Sequence, residues 1–141
     1  MSVKAILNEK GRKVVTVTPQ ATVGEAAQLL SANRIGAVVV LDGERIVGLM
    51  AERDVVAAIA ASGGACLGEP VDAHMSRDVP FCAEESEIEA LMEVMNNRRA
   101  RHLPVERNGR LVGIVSIGDA VRAHIRAIEH EAAQIKAYIA G

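Results

Sequence analysis

One short pattern occurs twice in this sequence. GLMAERD at residues 48–54 and GIVSIGD at residues 113–119 both open with glycine, continue through two apolar residues and end on aspartate. The same shift of 65 positions, from Gly48 to Gly113, also superimposes Arg34 on Arg99 and Val40 on Val105. A repeat of this length constrains the fold strongly, because each half must form the same supersecondary unit.

Both halves contain the same order of predicted elements. VVTVT at residues 14–18 alternates like a strand, and apolar residues at helical spacing follow it. Two apolar runs then flank a predicted turn at Asp42-Gly43 or Asn108-Gly109, dipeptides that are typical of hairpins. A second helix is predicted to begin near Glu52 and near Ile117. The sequence therefore predicts an α/β (α+β) fold of two βαββα units.

The first helix of each repeat carries a predicted capping box. Thr22 with Glu25, and Ser86 with Glu89, have the S/T-x-x-E spacing in which a hydroxyl and a carboxylate each satisfy an open backbone N–H. We therefore expect Thr22 and Ser86 to be the N-cap residues of these two helices.

Composition limits the function classes. The 141 residues are 50% hydrophobic and 24% charged, which indicates one compact globular domain, and the net charge of −2 predicts no nucleic-acid partner. No apolar run approaches about 18 residues, so we predict no membrane span and a cytoplasmic location. Cys66 and Cys82 fit neither a disulfide framework nor a zinc motif.

Ser116 and Asp119 allow two interpretations. S-x-x-D at a helix start is a capping box, which stabilises a helix by roughly 1 kcal/mol. The same helix start offers open N–H groups to a phosphate, and a carboxylate one turn later can accept hydrogen bonds from both hydroxyls of a ribose. In the first repeat Ala51 cannot cap, yet Asp54 is present, which weakens the capping interpretation.

No catalytic constellation emerges from the sequence. VSIG only partly matches the nucleophile elbow G-x-S-x-G, since Ile114 stands where the first glycine is required. His74 with the two cysteines matches no zinc spacing. We predict that the protein has no catalytic residues and no metal site.

The repeated segments resemble a known family. RIGAVVV at residues 34–40, RDVV at 53–56 and MSRDV at 75–79 resemble the tandem CBS domain pair, and residues 101–121 resemble the second half of stand-alone bacterial CBS-pair proteins. The resemblance covers about residues 3 to 125. It implies two CBS repeats related by a pseudo-twofold axis, forming one CBS-pair (Bateman) module with two clefts that bind adenosine ligands.

The resemblance also implies ligand-binding residues. In the first cleft Ser116 would hold phosphate and Asp119 ribose, and the base would be enclosed by Lys13, Val15, Ile35, Gly36 and Ala37. In the second cleft Asp54 would hold ribose and Arg53 phosphate, with further contacts from Asp78, Pro80, Ala100, Arg101 and His102. We expect the cleft of Ser116 and Asp119 to be the better AMP site. ADP, ATP and NAD(H) are the alternatives, followed by S-adenosylmethionine.

The last predicted helix carries an apolar stripe that outlasts the repeat, formed by Ile125, Ile128, Ala132, Ile135 and Ile139. The stripe would either fold back on its own core or form a dimer contact. The resemblance implies a homodimer paired face to face through helices. The predicted organisation is CBS repeat 1 at residues 1–63, a linker at 64–70, CBS repeat 2 at 71–125 and a helical extension at 126–141.

Two functions remain open at this point. The first is a regulatory sensor that binds an adenine nucleotide without catalysis and passes ligand occupancy to a partner protein. The second is a structural dimerisation or interaction module whose nucleotide clefts are non-functional. Binding of a nucleotide to the folded chain would separate the two, because it raises thermal stability.

Overall fold

The computed structural model describes every residue from Met1 to Gly141 and contains five α-helices and five strands. The helices are α1 (Val3–Lys10), α2 (Val23–Asn33), α3 (Glu52–Ser62), α4 (Ile88–Arg98) and α5 (Ile117–Ala140). The strands are β1 (Thr16–Val17), β2 (Ala37–Asp42), β3 (Arg45–Ala51), β4 (His102–Arg107) and β5 (Arg110–Ser116). Two 3-10 segments, Gly63–Gly68 and Val71–Ala73, follow α3.

The chain forms two compact units that do not follow the repeats along the sequence. One unit contains Lys13–Val79 with Arg107–Val112 and is called unit A here. The other contains Met1–Arg12, Pro80–Glu106 and Gly113–Gly141 and is called unit B. The N-terminal helix α1 thus packs with elements of the second repeat, and the 3-10 segment Val71–Ala73 packs with elements of the first.

Unit A is built on a three-stranded sheet in the order β1-β2-β3. Strands β1 and β2 are parallel, whereas β2 and β3 form an antiparallel hairpin. The register of the hairpin shifts by one residue between Val40 and Leu41, because Val40 pairs with Gly48 and Leu41 pairs with Ile46. The core of the unit consists of Val23, Ala26, Leu30, Val38, Val40, Met50, Ala58, Cys66, Val71 and Met75.

The predicted turn at Asp42-Gly43 is wrong by one residue. Asp42 pairs with Arg45 as the last residue of β2, so Gly43 and Glu44 form the loop. Gly43 has a φ of 65°, which suits glycine at the first position of a two-residue hairpin loop. In the second hairpin the turn does lie at Asn108-Gly109, where both residues have positive φ.

Unit B contains most of the two-stranded sheet of β4 and β5, without the hairpin end Arg107–Val112, together with α1, α4 and α5. Its buried residues come from all of these elements: Val3, Leu7, Ile88, Leu91, Met95, Leu103, Val105, Val115 and Ala120. Cys82 makes a parallel bridge with Val105, as Val17 does with Val40 in unit A. The second repeat therefore retains one bridge of the parallel pairing that defines β1.

The repeat predicted from sequence is confirmed by the element bounds. The shift of 65 positions carries α2 onto α4, β2 onto β4, β3 onto β5, and the first residue of α3 onto the first residue of α5. Even the left-handed residues that end α2 and α4, Arg34 at φ 52° and Arg99 at φ 50°, correspond. The predicted mixed α/β fold of two repeats is therefore confirmed.

Of the two predicted capping boxes, one forms. Thr22 Oγ1 accepts a hydrogen bond from the Glu25 N–H at 3.0 Å, and the Glu25 carboxylate accepts one from the Thr22 N–H at 3.2 Å. The box at Ser86 is wrong, because α4 begins one residue later than that box requires and its N-cap is Glu87. Ser86 Oγ instead accepts a hydrogen bond from the Ala83 N–H.

None of the five helices combines the length and apolar character needed to cross a membrane.

Candidate functional site

The start of α5 holds Ser116 and Asp119 in a complete capping box. Ser116 Oγ accepts a hydrogen bond from the Asp119 N–H at 3.1 Å, and Asp119 Oδ2 accepts one from the Ser116 N–H at 2.9 Å. The structural interpretation of this motif is therefore confirmed. It leaves a carboxylate in the first turn of a helix, at the positive end of the helix dipole.

Two cations also contact the Asp119 carboxylate. Lys10 Nζ, on α1, donates to Oδ2 at 2.7 Å, and Arg122 donates to Oδ1 at 2.8 Å. The Asp119 side chain is only 10% exposed. Burial acts to raise the pKa of Asp119, but the bonds from Lys10 and Ser116 outweigh burial and hold that pKa below its usual value. Asp119 is therefore an ionised carboxylate at neutral pH.

The first repeat holds Asp54 in an equivalent place with different partners. Asp54 Oδ2 accepts a hydrogen bond from the Ala51 N–H at 2.8 Å, as Asp119 does from Ser116. Ala51 has no hydroxyl with which to complete the box. Asp54 Oδ1 accepts a hydrogen bond from the Ser76 hydroxyl at 2.8 Å. A neutral hydroxyl in unit A thus stands where cations stand in unit B.

Each of these helix starts also contacts the residue just before the first hairpin strand of its own repeat, β2 or β4. The Glu52 N–H at the start of α3 donates to the Gly36 carbonyl at 3.1 Å. At the corresponding place in unit B, the Ile117 N–H donates to the Arg101 carbonyl at 2.8 Å. The structure therefore brings Gly36 close to the helix of Asp54, and Arg101 close to the helix of Asp119.

The other predicted ligand residues are divided between the two units. Unit A contains Lys13, Val15, Ile35, Ala37, Arg53 and Asp78, and unit B contains Pro80, Ala100 and His102. Lys13, Arg53 and Asp78 are exposed, whereas Ala37 and Ala100 are buried. The Val15 carbonyl accepts a hydrogen bond from the Val39 N–H at 3.2 Å. The resemblance assigns each ligand to residues of both units, and that assignment stays a prediction.

Sequence reasoning did not identify Lys10, Arg122 or Ser76 as partners of the two aspartates. Arg122 follows Asp119 by three positions on one helix, and such a pair is recognisable from spacing. Lys10 lies 109 positions before Asp119, and Ser76 lies 22 positions after Asp54. No local pattern indicates either contact, since both depend on which unit the first segment of each repeat joins.

The structure contains no group of three or more His, Cys, Asp or Glu side chains that could hold a metal ion. His74 Nε2 lies 2.8 Å from the Glu69 carboxylate, a pair that joins the end of the linker to the beginning of the second repeat. Both cysteines are free thiols. Burial raises the pKa of the Cys82 thiol to about 12, so this thiol stays protonated at neutral pH.

Comparison with known proteins identifies the repeats. The sequence model of the CBS domain matches this chain twice, at residues 3–61 and 71–126. Among curated proteins, a 17.7 kDa protein of Acidianus ambivalens is 39% identical over 79% of this chain and 67% of its own length. A mitochondrial CBS domain-containing protein of Arabidopsis thaliana is 28% identical over 99% of this chain and 72% of its own length.

Solved structures show the same fold. A CBS-domain containing protein from Agrobacterium tumefaciens is 49% identical, with a TM-score of 0.85 over 88% of this chain and 99% of its own. A CBS domain protein from Pyrobaculum aerophilum, solved as a complex with AMP, is 28% identical. It has a TM-score of 0.75 over 84% of this chain and 89% of its own.

Proposed function

Since this chain belongs to the CBS domain family and carries two copies of the domain, we propose that it is a regulatory module that binds adenosine nucleotides. In this proposal the module has no catalytic activity of its own and acts in the cytoplasm. Ligand binding shifts the equilibrium between two arrangements of the protein, and a partner protein responds to that shift. The ligand is AMP or a related adenosine nucleotide, namely ADP, ATP or NAD(H), with S-adenosylmethionine less favoured.

One observation carries the proposal: each repeat places an aspartate, Asp54 or Asp119, in the first turn of its last helix. A carboxylate accepts two hydrogen bonds, which suits the vicinal hydroxyls of a ribose, and a helix start favours the phosphate that accompanies it. The Pyrobaculum aerophilum relative with AMP supports an adenosine ligand. Neither aspartate has a partner that suggests proton transfer or nucleophilic attack.

The proposed ligand contacts follow the family resemblance. Asp119 binds ribose and Ser116 binds phosphate in one site, where the base lies among the predicted residues Lys13, Val15, Ile35, Gly36 and Ala37. Asp54 binds ribose in the other, where the predicted contacts are Arg53, Asp78, Pro80, Ala100, Arg101 and His102.

The different partners of the two aspartates support unequal sites. Lys10 and Arg122 bring two positive charges to Asp119, whereas Asp54 is held by the uncharged Ser76. Cations beside the ribose-binding carboxylate attract the phosphate of a nucleotide. We therefore propose that the site of Ser116 and Asp119 binds AMP more tightly than the site of Asp54.

A second candidate function is favoured by the hydrogen bonds that Asp119 already makes within the chain. Asp119 already accepts bonds from Ser116, Lys10 and Arg122, so its carboxylate is satisfied without any ligand. In that case the aspartates only cap helices, and the protein is a structural dimerisation or interaction module with non-functional clefts.

A homodimer is also part of the proposal. Unit A presents an open apolar groove of about 330 Å³ between α2 and α3, lined mainly by Ala27, Leu30, Ile35, Val55 and Val56. The Val56 side chain beside it is 66% exposed, and that of Ile59 is 46% exposed. Exposed apolar helix faces of this kind support pairing of two copies through helices.

The test is a thermal unfolding series with AMP, ADP, ATP, NADH and S-adenosylmethionine at millimolar concentration. A ligand that binds the folded chain at 100 times its Kd stabilises it by about 2.7 kcal/mol, so at least one of the five raises the Tm by several degrees. Mass spectrometry of the small molecules that co-purify identifies the natural ligand. If none of the five ligands moves the Tm and none co-purifies, the structural module is the correct function.

A further inference from the structure

Helix α5 carries a coiled-coil pattern along one face. The apolar residues alternate at spacings of three and four positions and are called the α5 stripe here: Ile125, Ile128, Ala132, Ile135 and Ile139. This repeat averages 3.5 residues over two heptads, which matches the spacing of the a and d positions in a left-handed coiled coil. Ile125, Ala132 and Ile139 take the a positions, and Ile128 and Ile135 take the d positions.

The α5 stripe has no partner within the chain. Ile125 is 48% exposed, Ile128 52%, Ile135 54% and Ile139 78%. The residues that attach α5 to unit B lie on another face, where Ala120 and Ala123 are buried. The stripe therefore does not fold back on the core of its own unit, which was one of the two alternatives left open by the sequence.

The exposed part of the stripe belongs to a segment that the first repeat lacks. Helix α3 ends at Ser62, which corresponds to Ala127 of α5 under the shift of 65 positions. Helix α5 continues to Ala140, and every residue from Ile128 onward is exposed. Such a helix segment gains no tertiary stabilisation, and isolated helices of this length are marginal in water.

We propose that α5 pairs with α5 of a second copy of this chain as a parallel, two-stranded coiled coil. The inference goes beyond nucleotide binding and does not depend on it. It also sets the relative direction of two copies, because the C-termini of both chains come to lie side by side.

The charged residues that flank the stripe favour the parallel direction. In a parallel pair, each g residue faces the e residue five positions further along the other helix. Glu131 at a g position then faces Lys136 of the second copy at an e position, and this attractive pair occurs twice by symmetry. His124 and Glu129 take the preceding g and e positions, a pair in which no like charges meet.

An antiparallel pair with full overlap of the stripe brings like charges together. In that register Ile128 packs on Ala132 of the second copy, and Ile125 packs on Ile135. Glu129 then faces Glu129, and Glu131 faces Glu131, so four carboxylates meet in two repulsive pairs. A slip of one heptad separates them but leaves Ile125 of both helices without a partner. Only the parallel pair buries the complete α5 stripe and also places opposite charges beside it.

A charge exchange tests the pairing directly. Glu131→Lys and Lys136→Glu each create two repulsive pairs in the parallel coiled coil, and each should weaken self-association of the full chain roughly tenfold. The double exchange should restore the wild-type Kd. Residues 131 and 136 lie five positions apart on one helix and do not face each other there, so recovery in sedimentation equilibrium must come from contacts between copies. Equal Kd values for all four proteins would overturn the proposal.

A disulfide test determines the direction. Ile139→Cys places a thiol at an a position, where a parallel pair aligns the two cysteines, whereas the antiparallel register holds them about 27 Å apart. We expect a covalent dimer under mild oxidation. If the variant remains a monomer on non-reducing gels, the parallel pair is excluded. Wild type contains the same Cys66 and Cys82 and is therefore the control for disulfides that those two thiols form.

A stripe substitution with a matched control completes the set. Ile135→Asp, at an exposed site, should abolish pairing through α5, while Ala137→Asp on the outer face should not. Isoleucine at both a and d positions also suits three strands, so the molar mass is measured by light scattering, where a trimer would contradict the two-stranded pair. A dimer Kd in Ile135→Asp equal to that of wild type and of Ala137→Asp would show that α5 does not hold the copies together and would overturn the proposal. Nucleotide titrations of the same variants measure ligand binding separately, so failure of α5 pairing is distinguished from failure of the ligand proposal.

Discussion

Lys10 Nζ lies 2.7 Å from Asp119 Oδ2, although 109 positions separate the two residues in the chain. The contact forms because α1, the first element of the first repeat, packs in unit B with elements of the second repeat. Ser76 contacts Asp54 for the corresponding reason, since the beginning of the second repeat, up to Val79, packs in unit A. Each aspartate thus receives a partner from the beginning of the other repeat.

Removal of the Lys10 ammonium should destabilise unit B modestly. Lys10→Met takes one charged hydrogen bond from Asp119, but the Lys10 side chain is 34% exposed, so water compensates part of the loss. We expect a decrease of about 1 kcal/mol in the free energy of unfolding, measured with urea. Lys4→Met, on the exposed face of the same helix, is the matched control, and equal effects of the two substitutions would contradict this assignment.

Acid should weaken the fold partly through Asp119. Because the pKa of Asp119 is lower in the folded chain than in the unfolded chain, its ionised form stabilises the fold. That contribution is complete above the unfolded pKa of about 3.9 and is lost as the pH falls through the lower folded pKa. Urea unfolding from pH 6 to pH 2 should therefore show a shallower acid loss for Asp119→Asn than for wild type. The exposed control Glu93→Gln should keep the wild-type slope, and a parallel slope for Asp119→Asn would refute the prediction.

The two glycines of the repeated pattern should differ in tolerance to alanine. A Cβ at Gly48 would lie 2.6 Å from the Ser76 carbonyl oxygen and 2.9 Å from Met75 Sδ. At Gly113 it would meet only the Leu7 methyl carbons, at 2.8 Å, and a side-chain end can move where a backbone carbonyl cannot. We expect Gly48→Ala to cost about 3 kcal/mol of unfolding free energy and Gly113→Ala about 1 kcal/mol. The reverse order would show that Gly48 and Gly113 do not have the neighbours described.

The Cys82 thiol should react slowly in the folded protein. With a pKa of about 12 it holds almost no thiolate at pH 8, and thiolate is the reactive form. Ellman's reagent should therefore label Cys82 of a Cys66→Ser variant at least tenfold more slowly in buffer than in 6 M urea. A rate in buffer close to that in urea would mean that Cys82 is exposed to solvent.

Much of the architecture could be predicted from the repeat, and the errors have local causes. The shift from Gly48 to Gly113 is sufficient to align every α-helix from α2 onward with its counterpart, because identical backbone units tolerate few alternative registers. The first turn lies at Gly43-Glu44 because Asp42 pairs with Arg45 and so belongs to β2, and the shift of 65 positions places these two residues opposite Asn108-Gly109. The spacing alone predicts Ser86 as an N-cap, whereas the Ile88 N–H that opens α4 donates to the Met1 carbonyl, far away in sequence.

The candidate site divides in the same way between local and non-local features. The capping box of Ser116 and Asp119 is confirmed because it depends on three consecutive peptide units. Lys10 could not be identified, since its contact depends on the unit in which α1 packs. The ligand contacts of Lys13, Arg53 and the other predicted residues stay predictions, because a ligand adds interactions that the chain alone does not contain.

The most direct test of the central claim is calorimetric titration of AMP into wild type, Asp119→Ala and Glu25→Ala. Glu25→Ala is the matched control because it also removes the carboxylate of a capping box, the one at the start of α2. We expect wild type and Glu25→Ala to bind AMP with the same Kd and Asp119→Ala to bind at least tenfold more weakly. Equal AMP affinity in all three proteins, or no binding heat in any of them, would contradict the claim that Asp119 binds the ribose of a nucleotide.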